Sequence, residues 1–194
     1  MTNENPASET PPVDKPETTG FKPAKSLVIV NTGEGKGKST AAFGTVLRAL
    51  ARGWKVGVVQ FLKSGDWHVG EEKICRELGV DWFAAGDGFT GNSEDLDESR
   101  AMAQGAWDHA KGLMAGDEYR LLVLDEISYA MSWGWIDAED VARSVAERSE
   151  RLSVVLTGRD MAQEVIDVAD TATEMRKIKH AFDSGIVAKK GIDY

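Results

Sequence analysis

The sequence predicts an α/β protein, a mostly parallel sheet covered by helices on both faces. Short, wholly apolar runs such as Leu27-Val28-Ile29-Val30 and Leu121-Leu122-Val123-Leu124 read as strands buried on both sides. Segments of helical periodicity alternate with them, the pattern that builds parallel sheets. The first run leads into a glycine-rich turn ending in Gly37-Lys38-Ser39, which opens a helix.

The elements follow in chain order. After the strand at 27–30, residues 39–51 read as a helix and Lys55-Val56-Gly57-Val58-Val59-Gln60-Phe61 as the next strand. A short helix is expected over 71–78, with Ile74 and Leu78 on one face, and a strand over 80–84. Residues 94–115 form a longer helix whose apolar side is carried by Met102, Ala106, Ala110 and Leu113, with acidic residues in its first turn. The strand at 120–124 ends in Asp125-Glu126. Asp137 is the N-cap of a helix reaching 150, with Val141 and Val145 inward, and 152–156 is the next strand. Asp160 and Gln163 resemble a capping pair that opens a last helix.

All five prolines fall within the first 23 residues, in a stretch rich in Thr, Ser, Glu and Asn. Such a segment cannot offset its ordering entropy by burial, so residues 1–25 are read as a flexible tail and 26–194 as one folded domain. With 42% hydrophobic residues in 194, the remainder can bury a core of single-domain size. No apolar run approaches the ~20 residues of a membrane span, and the polar start does not read as a secretory signal. A single cysteine, Cys75, rules out an internal disulfide framework and a multi-cysteine zinc site. The net charge of −9 argues against nucleic acid as the main ligand. The expectation is a cytoplasmic protein with neither nucleic-acid nor membrane partners.

Thr32-Gly33-Glu34-Gly35-Lys36-Gly37-Lys38-Ser39-Thr40 lies between strand and helix, as a phosphate-binding loop requires. Glycines let the backbone aim its N–H groups inward, and the helix start adds positive dipole. Lys38 is placed to neutralise phosphate, and the Ser39 hydroxyl to bind Mg²⁺. The full pattern wants glycine where Thr32 stands, so the match is to the Gly-Lys-Ser end with a denser glycine run. Asp125-Glu126, at the end of a buried strand, supplies the acidic half of a nucleotide site and a Mg²⁺ position shared with Ser39. Together these indicate a P-loop NTPase fold of the RecA-like type.

The blocks around those motifs narrow the class. Val30-Asn31-Thr32-Gly33-Glu34-Gly35-Lys36-Gly37-Lys38-Ser39-Thr40-Ala41-Ala42-Phe43-Gly44 resembles the start of the ATP:corrinoid adenosyltransferases. The resemblance continues through Val58-Val59-Gln60-Phe61-Leu62-Lys63, Gly86-Asp87-Gly88-Phe89-Thr90 and Val123-Leu124-Asp125-Glu126-Ile127-Ser128-Tyr129. Further on it includes Leu156-Thr157-Gly158-Arg159, Lys179-His180-Ala181-Phe182-Asp183-Ser184-Gly185 and Gly191-Ile192-Asp193-Tyr194. It implies transfer of the 5′-deoxyadenosyl group of ATP to the Co(I) of a corrinoid, with release of triphosphate, in adenosylcobalamin biosynthesis or salvage. Co(I) is itself a strong nucleophile, which suits a sequence without a catalytic triad. By similarity the triphosphate lies in the loop in the reverse sense to P-loop hydrolases, exposing C5′.

The resemblance also implies site residues. Thr32, Gly33, Glu34, Gly35, Lys36, Gly37, Lys38, Ser39 and Thr40 would bind ATP, with Arg48 and Arg159. Lys36, Lys38 and Arg159 would stabilise the leaving triphosphate. Ser39, Asp125 and Glu126 would hold Mg²⁺ or Mn²⁺. Gly88, Phe89 and Thr90 would meet the corrinoid. Here the chain departs from the family, which has tryptophan where Gly91 stands; Trp67, Trp82, Trp133 and Trp135 are nearby aromatics that either substitute for it or serve the core and surface. For Arg48, a solvated helix-end residue is the competing reading. His68, His109 and His180 lack metal-ligand spacing and read as structural or surface residues. A homodimer and an electron-donating flavoprotein reductase are implied as partners. Relatives carry a helix-prone N-terminal cover that residues 1–25 are too proline-rich to form. Two alternatives stand beside this reading: a motor-type P-loop ATPase, which would release ADP and phosphate, and an ATP-binding corrinoid carrier. A GTPase is disfavoured by the lack of an N-K-x-D tetrapeptide.

Overall fold

The five expected strands and a sixth form one sheet in the computed structural model, which describes residues 18–62, 70–84 and 93–193. They are β1 (Val28–Thr32), β2 (Val56–Gln60), β3 (Asp81–Ala84), β4 (Leu121–Asp125), β5 (Ser153–Thr157) and β6 (Thr171–Glu174). Every pairing is parallel, in the order β3-β2-β4-β5-β1-β6. The helices are α1 (Lys38–Leu50), α2 (Gly70–Glu77), α3 (Ser93–Ala115), α4 (Ile127–Ser132), α5 (Ala138–Ala146) and α6 (Gln163–Asp167), followed by a 3-10 turn at Ala181–Ser184.

The pleat divides the core in two. Along β4, Leu122 and Leu124 enter one apolar cluster while Leu121 and Val123 enter the other. The first cluster is closed by Trp107 and Met114 of α3 and by Val141 and Val145 of α5. The second is closed by Phe43 and Val46 of α1, Cys75 of α2 and Trp82 of β3, with Phe43 stacked on Trp82 at 5.4 Å. Cover on both faces is what an all-parallel sheet of apolar strands needs. It also leaves one edge, where the strands' C-terminal ends meet the loops, for polar chemistry.

Three expectations, on α3, α5 and α6, are corrected. Helix α2 buries Cys75, and its Ile74 and Leu78 are about half exposed. This helix rests on the end strand of the sheet, which covers only a narrow stripe of it. The inward face of α3 is Ala103, Trp107, Ala110 and Met114, with Met102, Ala106 and Leu113 on its half-buried flanks. Trp107 decides that rotation, because it has the largest area to bury and its indole N–H donates to Asp140 at 2.8 Å. Helix α5 begins as expected, with Asp137 accepting from the Glu139 N–H at 3.3 Å, but ends at Ala146. Beyond it, Ser149 donates through its N–H to Met114 at 3.0 Å and through its hydroxyl to Asp117 at 2.6 Å, pulling the chain off the helical path. Asp160 and Gln163 form no capping pair: Asp160 lies at φ 47, Ala162 is the N-cap of α6, and the Gln163 amide donates forward to Asp167.

Two elements carry no sequence signal. The α4 segment is too short to show a period. β6 is the wholly exposed Thr171–Glu174, held to β1 by backbone pairing from Ile29↔Thr171 to Thr32↔Glu174.

Candidate active site

The loop between β1 and α1 is shaped by residues that tolerate left-handed backbone and close approach. Gly33 and Gly37 lie at φ 95 and 112, and Gly37 immediately precedes the first turn of α1. A Cβ on Gly33 or Gly35 would come within 2.7 or 2.6 Å of the Met175 carbonyl oxygen. The backbone after β6 lies that close because the Gly35 N–H donates to the Met175 carbonyl at 2.5 Å and the Met175 N–H to that of Thr32 at 2.8 Å. Thr32, where the usual pattern has glycine, uses its hydroxyl to accept from the Met161 N–H at 3.1 Å. The departure therefore ties the loop to the chain after β5.

Cations and carboxylates gather around this loop. The Lys38 ammonium donates to the carbonyls of Gly33 and Gly35, each at 2.8 Å. Burial and the nearby Arg159 hold its pKa below the usual lysine value. Arg159 pairs with Glu34 at 3.1 Å, and Lys36 with Asp193. Lys36, Lys38, Ser39, Thr40, Asp125 and Glu126 line a cleft of about 330 Å³.

A row of buried polar side chains forms the floor. Gln60, Asp125 and Thr157 end three adjacent strands and Asn31 is the last but one residue of the next; with Ser128 of α4 they make up the buried polar residues among those described. The register places Gln60 opposite Asp125 and Asn31 opposite Thr157. The Asp125 carboxylate receives the Thr157 hydroxyl at 2.7 Å, the Gln60 amide N–H at 3.3 Å and the Ser39 hydroxyl. Burial pushes the Asp125 carboxyl up, and these three donors pull it back. Glu126 sits at φ 60, a left-handed conformation that a glutamate adopts only when its surroundings impose it. Its N–H donates to Thr157 Oγ1 at 2.9 Å, which fixes that turn. Burial and the Asp125 charge push the Glu126 carboxyl up to about 7, opposed by Lys38 and Arg159. Gly158, which follows Thr157, packs so tightly that a Cβ would lie 1.9 Å from Ser128 Oγ.

The structure thus brings Thr32 through Thr40, Asp125, Glu126 and Arg159 to one sheet edge. It does not bring Arg48: that side chain is exposed in the last turn of α1, about 15 Å along the axis from Lys38 at 1.5 Å per residue. Gly88, Phe89, Thr90, Gly91 and Trp67 lie outside the described residues. Trp82 is a core residue, whereas Trp133 is 43% exposed and lies between Tyr129 at 5.7 Å and Trp135 at 4.7 Å. His109 packs on Phe83, and His180 accepts the Phe182 N–H, both structural uses. Reading residue by residue assigned no role to Gln60, Thr157, Asn31 or Asp193. For Gln60 and Thr157 the available signal was polarity at the last position of an otherwise apolar strand.

Comparison with known proteins agrees with this geometry. Residues 24–194 match the family model described as ATP:corrinoid adenosyltransferase BtuR/CobO/CobP. The chain is 40% identical over 170 residues to the corrinoid adenosyltransferase of Escherichia coli (strain K12), covering 88% of this chain and 86% of the relative. It is 42% identical over 174 residues to that of Sinorhizobium sp, covering 88% and 81%. With that of Pseudomonas aeruginosa it shares 41% over 172 residues, covering 88% and 84%. The motor-type ATPase and carrier readings find no observation in their favour. A family-model match over residues 24–194, together with relatives about 40% identical over most of their length, makes this chain a member of the ATP:corrinoid adenosyltransferase family.

Proposed function

We propose that this chain transfers the 5′-deoxyadenosyl group of ATP to the Co(I) of a corrinoid and releases triphosphate. The observation that supports this most is the placement of Lys36, Lys38 and the loop backbone in one cleft with Asp125 and Glu126, with Arg159 close enough to Lys38 to lower its pKa. In the reaction the cobalt electron pair forms a bond to C5′, the C5′–O bond breaks, and its electrons leave on the triphosphate. Negative charge therefore grows on phosphate oxygens. Positioned cations and N–H groups stabilise charge of that kind where it develops, each donor contributing about 10²–10³ in rate. Lys38 already sits among loop carbonyls with its charge disfavoured by burial, so an incoming phosphate offers it a better partner.

A divalent cation fits the same cleft. Ser39, Asp125 and Glu126 supply hard oxygen donors, and Gln60 Oε1 in the cleft wall is buried without a partner. Among the described residues, no three His, Cys, Asp or Glu side chains converge. The arrangement therefore suits a cation held by one or two carboxylates together with substrate phosphates, as Mg²⁺ commonly is. When bound, Mg²⁺ or Mn²⁺ would supply charge neutralisation at the triphosphate. Ser39 and Asp125 orient the site, and Glu126 offers its carboxylate from a fixed turn.

Family resemblance supports a cytoplasmic homodimer served by a flavoprotein reductase. Exposed apolar side chains on the last segment, Ile178, Phe182 and Val187, are also consistent with a covered face. No helix among the described residues is long and apolar enough to cross a membrane. The decisive experiment incubates the protein with ATP, Mg²⁺ and chemically prereduced Co(I) corrinoid, following cobalt–carbon bond formation and the phosphate product. Triphosphate in step with the alkylated corrinoid is expected. ADP and phosphate, or no cobalt–carbon bond, would overturn the assignment.

A further inference from the structure

Gln60 presents an anomaly inside this cleft. It ends β2 at 5% exposure, and the register sets it against Asp125. Its Nε2 donates to Asp125 Oδ2 at 3.3 Å, which decides the amide's orientation, since the flipped amide would press one acceptor on another. Oε1 is consequently turned away from Asp125, buried and without a hydrogen-bond partner, although Gln60 lines the nucleotide cleft beside Ser39 and Glu126. Buried amide oxygens are almost always satisfied, and leaving one without a partner is costly. A residue used only to hold Asp125 has no need for that second, unpartnered acceptor. A residue that also meets a ligand does.

We propose that Gln60 is a positioning residue for the metal–triphosphate: its N–H steadies Asp125 while its Oε1 accepts a hydrogen bond from a donor in the bound metal's hydration shell. This rests on the metal reading given above for Ser39, Asp125 and Glu126. The chemistry fits, because a cation in a site of so few protein ligands keeps several waters whose protons need acceptors. Asp125 is already engaged by Thr157, Ser39 and Gln60 itself, and Oε1 is the acceptor left over.

The test uses the full chain with Mn²⁺ and inorganic tripolyphosphate, following free Mn²⁺ by its electron paramagnetic resonance signal, alongside ligand-free thermal melts. The parent is expected to bind Mn²⁺ in a tripolyphosphate-dependent manner. Gln60→Met, similar in shape but without either polar group, should weaken Mn²⁺ binding about 10–100-fold, the usual range for outer-sphere partners, with little change in the ligand-free melt. Gln60→Glu loses the donor but keeps an acceptor, so it should retain parental affinity within threefold or exceed it. Unchanged affinity in Gln60→Met would overturn the inference while leaving the metal reading intact. So would a loss in Gln60→Glu of tenfold or more, which would show that only the hold on Asp125 matters; this arm stands even if Gln60→Met fails to fold. No tripolyphosphate-dependent binding by the parent would overturn the metal reading and the inference together.

Discussion

Lys38 is the residue on which turnover is expected to depend most directly. Its ammonium is held among loop carbonyls and is not part of the apolar core, so Lys38→Ala should lower kcat/KM by at least about 10²-fold while the melting temperature stays within a few degrees. A near-parental rate at saturating ATP would count against its role at the triphosphate. For Glu126→Gln the expected effect is a higher Mg²⁺ requirement, about 10–100-fold, with corrinoid binding unchanged. Titrating Mg²⁺ in the transfer assay checks the first part, and corrinoid absorbance the second. Both proposals start from residue type and spacing, which are local features of the sequence. The contrast is Arg48, whose sequence position fits a nucleotide contact but whose side chain emerges at the wrong end of α1. A helix moves a residue 1.5 Å along its axis per step, and no motif records that.

Among the elements, the loop and the strand that follows β5 by way of α6 are coupled through backbone. Gly35→Ala would drive a methyl against the Met175 carbonyl, breaking the pairing that seats the loop on the segment after β6. Weaker ATP binding together with reduced stability is expected, and calorimetric titration with ATP would show it. If Gly35→Ala binds ATP normally, the loop is not seated by that contact. Helix α3 offers a second case. Trp107→Phe keeps most of the apolar area but removes the N–H bond to Asp140, an acceptor also paired with Arg143. A loss of about 1.5–3 kcal/mol in denaturant unfolding is expected for a hydrogen bond to a charged group. Periodicity marked α3 as a helix and included the buried Ala110, but its stripe was centred to one side of Trp107, because several small apolar residues share that arc and only packing shows that Trp107 leads it.

At the scale of the whole molecule, acid sensitivity is expected to arise partly at the sheet's outer strand. Lys55 and Tyr119 both bond Asp81 and hold its carboxyl below the usual range. The folded form is thus favoured above the unfolded carboxylate value of about 3.9, and that contribution is lost as pH falls through the lower folded value. The group is partly exposed, so the effect should be below about 1 kcal/mol, read as a flatter acid limb of the stability curve in Asp81→Asn. An identical pH profile for that variant would place the acid-labile groups elsewhere.

The sequence by itself determined the class of the fold, the glycine-rich turn before α1, the acidic turn and the family, because each rests on local order. Apolar strands declare themselves by composition, and a loop that cradles phosphate needs its glycines, lysine and serine adjacent in the chain. Only the tertiary structure decided which strands are neighbours, and that decision builds the rest of the site. Gln60, Asp125, Thr157 and Asn31 are scattered over more than a hundred residues, yet the order β2-β4-β5-β1 sets them side by side. Each alone is a polar residue at or beside a strand end. Their meaning comes from register, which is fixed by how two faces of apolar side chains pack and not by anything written near the residues themselves.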